Sequence, residues 1–292
     1  MKNKEIELGL FDEIFEQEAI VNIQKFARIA KAEGLTVELG FSGGKDSIVC
    51  YSLCKRAGIP FTAVFHYAFE SPEVVSFIKE KYPDVIIQKR EKSYFQLIKK
   101  KQFLPTKDIR FCCEYFKENS KNAVIIGIRK EESAGRMKRK LFGIRKIKTL
   151  KKYAEMNVFQ ENCIEKGKNS PIELRPILYF SEVEVWSYIR KYNLPYPSLY
   201  DEGQRRCGCM LCPLAGLRDN MYYLKKYPNL LPSFNRNVAQ KLPIDFIFNR
   251  GDNETEMKDD PYRFLLYWLS ASFRPSKRGK KLADNYLKEN RL

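Results

Sequence analysis

The sequence predicts an α/β fold, a doubly wound parallel sheet with a helical C-terminal appendage. Two observations carry that prediction. Apolar strand-like segments alternate with amphipathic helical ones over the first two-thirds of the chain. The first of those strands also runs directly into a glycine-rich turn and a helix, Ser42-Gly43-Gly44-Lys45-Asp46-Ser47.

The elements follow in order. Leu10, Ile14, Ala19, Ile23, Phe26, Ala27 and Ala30 recur at a helical period, and Gly34 ends that helix. Residues 36–41 read as a strand, 42–47 as the turn and 48–54 as a helix. A buried strand spans 61–67. Ser71-Pro72-Glu73 opens a helix that runs towards Lys81. Residues 85–87 form a short strand, 94–101 a helix, and 123–127 a fourth strand. A further strand is expected at 172–177. Ser181-Glu182-Val183-Glu184 is a capping box that starts a helix through Ile189. Residues 219–292 read as mostly helical, with Trp268 in an amphipathic stretch. The chain thus divides into an N-terminal helix (1–34), a phosphate-loop domain carrying the cysteine groups (35–213) and the appendage (214–292).

Such sheets bind ligands at the carboxyl ends of their strands. Ser42, His66 and Gly127 all fall at such ends. In the 42–47 turn the glycines admit an anion close to the backbone, and the first helical amides point at it. The expected holders of phosphate are the amides of Gly43, Gly44 and Lys45, the hydroxyls of Ser42 and Ser47, and the Lys45 ammonium. Asp46 is expected to cap the helix or to help place Mg²⁺. The string is not a Walker loop, which needs four residues between its first glycine and Gly-Lys-Ser/Thr.

Fifty-three basic and 36 acidic residues leave a net charge of +17. That balance favours a polyanionic partner, and the run 136–152, which contains no acid, is the candidate nucleic-acid surface. Phe142, Ile144, Ile147 and Leu150 interrupt the run and are expected to pack. A second basic cluster lies at 274–281. The first residues lack the apolar core of a signal peptide, and no apolar run is long enough to span a bilayer. A cytoplasmic protein with no membrane partner is therefore expected. His66, the single histidine, excludes a multi-histidine metal site.

Eight cysteines in a reducing compartment read as metal or redox sites before disulfides. Cys112-Cys113 is an adjacent pair, Cys209-Met210-Leu211-Cys212 is a C-x-x-C, and Cys207 lies just before it. Four thiolates suit zinc or a [4Fe–4S] cluster about equally.

Four blocks of the chain resemble, in order, the phosphoadenosine phosphosulfate (PAPS) reductase family of the ATP pyrophosphatase (PP-loop) superfamily. They are the loop at 42–47; Gly127-Ile128-Arg129-Lys130-Glu131-Glu132-Ser133-Ala134-Gly135-Arg136; Arg175-Pro176-Ile177 with Glu184-Val185-Trp186-Ser187-Tyr188-Ile189; and Leu194-Pro195-Tyr196-Pro197-Ser198-Leu199-Tyr200-Asp201-Glu202-Gly203 leading into Gly208-Cys209 and Cys212-Pro213. The resemblance implies an enzyme that binds ATP, adenylyl sulfate or PAPS, with Lys45, Asp46 and Arg129 in catalysis. It places His66, Gly127, Arg129 and Arg136 around the nucleotide with the loop residues. The Cys-Cys plus C-x-x-C pattern is similar to adenylyl-sulfate reductases and to DndC-type DNA sulfur-modification proteins. It moves the expectation to a [4Fe–4S] cluster on Cys112, Cys113, Cys209 and Cys212, with zinc second. It also implies a sulfur or electron partner such as a cysteine desulfurase or a thioredoxin. Sulfonucleotide reductases use a cysteine near the C-terminus as nucleophile, and no cysteine follows Cys212 here. The first expectation is therefore adenylation of a substrate for sulfur transfer. The second is a reductase drawing on another thiol, and the third a nucleotide-binding module without catalysis.

Overall fold

A computed structural model describes residues 2–106, 108–118, 120–144, 163–166 and 171–237, together with positions 266, 268–269, 281, 284–285 and 288–289. The second half of the basic run, from 145, lies outside the described residues, as does the cluster at 274–281 apart from Lys281. The contacts divide the chain into two compact units.

The first unit takes in residues 1–67, 72–88 and 117–207. Its centre is a seven-stranded sheet built from β1 (Val37–Gly40), β2 (Thr62–Tyr67), β3 (Ile86–Lys89), β4 (Ala123–Ile126), β5 (Phe142–Ile144), β6 (Ile164–Lys166) and β7 (Ile172–Leu174). The strand order is β3-β2-β1-β4-β7-β5-β6. β1 pairs in parallel with β2 on one side and β4 on the other, and β4 with β7. β5 is antiparallel to β7 and parallel to β6. The sheet is thus mainly parallel, as expected. Its order reverses direction between β1 and β4, and the loop at 42–47 leaves β1 at that switch point, where open α/β sheets place their ligands.

The helices of this unit are α1 (Lys2–Ala32), α2 (Lys45–Arg56) and α3 (Pro72–Lys81), with a short α6 (Ala134–Met137) and α7 (Glu182–Lys191) further on. α2 packs on α1, α7, β1 and β4. Ile48, Val49 and Leu53 of α2 are fully buried, as are Leu39 of β1 and Ala123 and Ile125 of β4. Ser181 caps α7 with the full capping box: its hydroxyl accepts from the Glu184 amide, and the Glu184 carboxylate accepts from the Ser181 amide. Several boundaries differ from the sequence-based ones. α1 begins about two turns before Leu10, the first periodic apolar residue, α2 already begins at Lys45, and β7 stops at Leu174. There Arg175 turns inward instead, 1% exposed, to pair with Glu165 and Glu173. Phe142 and Ile144 do pack, fully buried in β5.

The second unit is assembled from 68–71, 89–116 and 208–292. It contains α4 (Tyr94–Lys101), α5 (Phe111–Phe116), α8 (Leu217–Lys226) and α9 (Leu230–Asn237). Tyr94, Ile98, Phe111, Phe116, Leu211, Leu224, Phe234 and Trp268 form its core. Trp268 stacks against Phe234 and donates its indole N–H to the Pro105 carbonyl at 2.6 Å. Among the described residues no helix is long and apolar enough to cross a membrane.

Candidate functional site

The loop at 42–47 is shaped by two glycines with different tasks. Gly43 has φ +73°, and a Cβ there would meet Ile78 and Val74 of α3 at 3.0–3.2 Å. Only glycine suits that backbone and that space. Gly44 is the N-cap of α2, extended, with no side-chain cap over the helix end. The amides of the first turn are therefore not closed off by the helix's own cap.

The two serines of the loop do not point outward as free donors. Ser47 Oγ donates to the Gly44 carbonyl at 2.8 Å and accepts from the Ser42 amide at 3.2 Å. Ser42 Oγ lies 3.2 Å from Ser47 Oγ and accepts from the Gly44 amide at 3.3 Å. They tie the turn into shape.

Of the two tasks expected of Asp46, it does not take the first, since no side chain caps α2. Its carboxylate accepts from Arg129 Nε at 2.5 Å. Burial pushes the Asp46 carboxyl up, and this outweighs the opposing charges of Arg129 and Lys45. Arg129, whose side chain is 4% exposed, also pairs with Glu131. The Glu132 carboxylate accepts from the Arg129 amide at 2.7 Å and pairs with Arg136. Arg129 thus sits beside the loop in a ring of carboxylates. Arg136 reaches Glu132 rather than the loop and is more than one-third exposed. Gly127 explains itself by packing: a Cβ there would stand 2.8 Å from the Asp46 backbone. The last turn of β4 must lie on the first turn of α2.

Lys45 is enclosed. Its ammonium donates to the Arg205 carbonyl at 2.7 Å, lies 3.3 Å from Glu182 and sits over the Tyr200 ring. Its amide donates to Tyr200 Oη at 2.9 Å. Tyr200, Arg205 and Glu182 were not singled out from the sequence. Tyr200 lies inside the fourth matching block, but an aromatic there carries no signal of a hydrogen bond to residue 45. His66 finds Glu38, at 3.4 Å, as its partner in the sheet. Glu38 in turn accepts from Asn122 at 2.8 Å and Ser120 at 3.2 Å. Burial raises the Glu38 carboxyl, but His66, Asn122 and Ser120 together bring it below the usual range.

The cysteine groups belong to the second unit. Cys112 and Cys113 open α5, and the 209–212 segment pairs with 69–70, Met210 N–H to Phe69 O at 2.8 Å. Cys209 Sγ donates to the buried Glu70 carboxylate at 3.2 Å. The Cys112 thiol is pushed up by its hydrogen bond with Cys113, by burial and by the neighbouring Cys209 and Cys212. Burial and all four of these thiols raise the fully buried Tyr94 hydroxyl as well. The fold therefore gathers the four expected cysteines around Tyr94. Among the described residues no His, Cys, Asp or Glu group is drawn together closely enough to hold a metal ion as it stands. Cys207 belongs to the first unit, where its Cβ lies 3.8 Å from the place a Gly44 Cβ would take.

Comparison with known proteins gives relatives of several names. An uncharacterized protein of Methanocaldococcus jannaschii is 28% identical over 239 residues, 77% of this chain and 52% of that protein. Adenosine 5'-phosphosulfate reductase 2 of Bacillus subtilis is 25% identical, covering 73% of this chain and 84% of its own. A probable FAD synthase of Schizosaccharomyces pombe is 28% identical, covering 58% and 57%. The chain spans about half the length of the archaeal relative. The phosphoadenosine phosphosulfate reductase domain matches residues 36–215, from the start of β1 to just beyond the C-x-x-C. The chain belongs to the phosphoadenosine phosphosulfate reductase domain family.

Proposed function

We propose that this chain is a PP-loop ATP pyrophosphatase that adenylates an acceptor for sulfur transfer. The observation that carries the reading is the loop itself: a glycine turn at the switch point of a parallel sheet, opening a helix whose N-terminus has no side-chain cap, with a buried arginine beside it. The relatives named for adenosine 5'-phosphosulfate and for FAD share an adenosine joined through phosphate. The loop fits that common part.

In this reading the Gly44 face, the Lys45 amide and the Lys45 ammonium bind the phosphates. Cleavage between the α and β phosphates moves negative charge onto the leaving pyrophosphate, which the helix end and Lys45 stabilise. Arg129, paired with Asp46 and Glu131, orients Asp46 beside the loop. Asp46 accepts from Arg129 through one carboxylate oxygen, and the other would be the group to help place magnesium. No step is assigned to that ion.

Cys112, Cys113, Cys209 and Cys212 are the residues that would hold a [4Fe–4S] cluster. The donor set fits: four thiols share one neighbourhood against an aromatic core. Four thiolates also suit zinc, and the resemblance of the Cys-Cys plus C-x-x-C pattern to adenylyl-sulfate reductases favours the cluster. Such a group supplies sulfur or electron chemistry when bound.

One observation favours a second reading, a reductase of adenylyl sulfate: Cys207 brings a thiol beside the loop. Product analysis separates the two. ATP should yield AMP and pyrophosphate. Sulfite released from adenylyl sulfate with a dithiol reductant, and no pyrophosphate from ATP, would replace the first reading with the second. The +17 charge supports a nucleic-acid acceptor. Added nucleic acid should then stimulate pyrophosphate release, and salt should weaken the effect steeply.

A further inference from the structure

The groups that should meet a phosphate are already taken, and one short segment takes them. The Lys45 amide has one hydrogen, and it goes to Tyr200 Oη at 2.9 Å. The same hydroxyl lies 3.2 Å from where a Gly44 Cβ would be, over the open face of the loop. The Lys45 ammonium gives one hydrogen to the Arg205 carbonyl at 2.7 Å, and its side chain is 4% exposed. A hydroxyl and a carbonyl oxygen thus stand where phosphate oxygens would stand.

The segment is built to be held there and to leave. Leu199 is fully buried, and Trp186 packs edge-on against the Tyr200 ring at 5.1 Å. Gly203 turns the chain at φ +86° with nothing within 4 Å of its missing side chain. That is an open pivot in a conformation that favours glycine. Gln204, 7% exposed, buries its Oε1 with no hydrogen-bond partner. An unsatisfied buried acceptor marks the seated state as one that does not satisfy every group. At its far end the segment carries Cys207 against Tyr200 and Gly44.

We propose that residues 198–207 form a strap seated in the phosphate loop, that the phosphates of a nucleotide displace Tyr200 and Arg205 from Lys45, and that displacement frees the Cys207 thiol. The inference rests on the loop being a phosphate site. It adds that the ligand-free chain blocks its own site, so apparent affinity is lowered by the fraction of molecules with the strap seated.

Two measurements test it. Calorimetry with ATP and Mg²⁺ compares the wild type with Tyr200→Phe, which keeps the ring and removes the competing hydroxyl. The variant should bind about fivefold more tightly, the equivalent of one net hydrogen bond. Equal or weaker binding overturns the strap while leaving the nucleotide site intact. Absence of binding to either protein overturns the phosphate reading and the strap with it. The second measurement needs only the wild type. N-ethylmaleimide labelling of Cys207, resolved from Cys209 by fragment mass spectrometry, should run about tenfold faster with saturating ATP than without it, as the half-buried thiol becomes more accessible. Unchanged or slower labelling, with ATP bound by calorimetry, refutes the displacement.

Discussion

Gly127→Ala tests whether the loop is positioned by the close approach of β4 to α2. The added Cβ would stand 2.8 Å from both the carbonyl carbon and oxygen of Asp46 and 3.1 Å from the Ser47 nitrogen. Ordinary carbon contacts lie at about 3.5–4.0 Å, so the two elements must separate by about 0.7 Å. All three atoms are backbone, and no flexible side chain can yield in their place. Overpacking of this kind costs about 1–3 kcal/mol. Because the displaced turn carries Lys45 and Asp46, ATP binding should weaken about tenfold as well, in line with the sensitivity of such sites to misplacement. Urea unfolding reads the first effect and calorimetry the second. Gly135→Ala is the control: its nearest neighbour is Ser133 Oγ at 3.9 Å, and it lies within α6. That substitution should be neutral or slightly stabilising. A Gly127→Ala protein with the wild-type urea midpoint and wild-type ATP affinity would refute the reasoning.

Three other outcomes follow from the same geometry. Arg129→Met leaves the Asp46 carboxyl buried without its cation and should destabilise the chain by about 3 kcal/mol, measured by urea unfolding; retention of stability would mean that the pair is screened. Glu38 has a native pKa below its unfolded value of about 4.3, so its contribution is full above that pH and is lost as pH falls through the native value. The wild type should therefore lose stability on acidification below about pH 4.3, and Glu38→Gln should show a shallower decline. Anaerobically purified protein should contain iron and acid-labile sulfide with a broad visible absorption, and Cys209→Ser should lose both; a colourless protein with one zinc would refute the cluster.

The strands that flank the loop were legible because each is a short apolar run closed by a turn, and Leu39, Val64 and Ile125 are buried as that pattern requires. α7 was legible from its capping box. β5 and β6 were not, because each is three residues long; Phe142 and Ile144 could be read as packing, but not as a strand. The grouping of the cysteines could be read as two motifs, but not the part played by Tyr94 and Glu70. Those residues reach the thiols only through a unit assembled from three separate segments. What Asp46, Ser42 and Ser47 touch was not legible for a related reason. Residue type shows that a side chain offers a carboxylate or a hydroxyl. Whether that group faces a ligand or its own loop depends on Arg129, 83 positions away, and on the local turn.

The central claim is that the turn at 42–47 receives the phosphates of an adenine nucleotide. Gly44→Asp tests it most directly, since Gly44 has an ordinary extended backbone and its Cβ would face Tyr200 Oη and Ser42 Oγ. The substitution places a carboxylate at the floor of the cradle. Calorimetric titration with ATP and Mg²⁺ should show binding to the wild type, and binding about a hundredfold weaker or lost in the variant, from like-charge repulsion at close range. Equal affinity in the two proteins, or no binding to the wild type, would contradict the account.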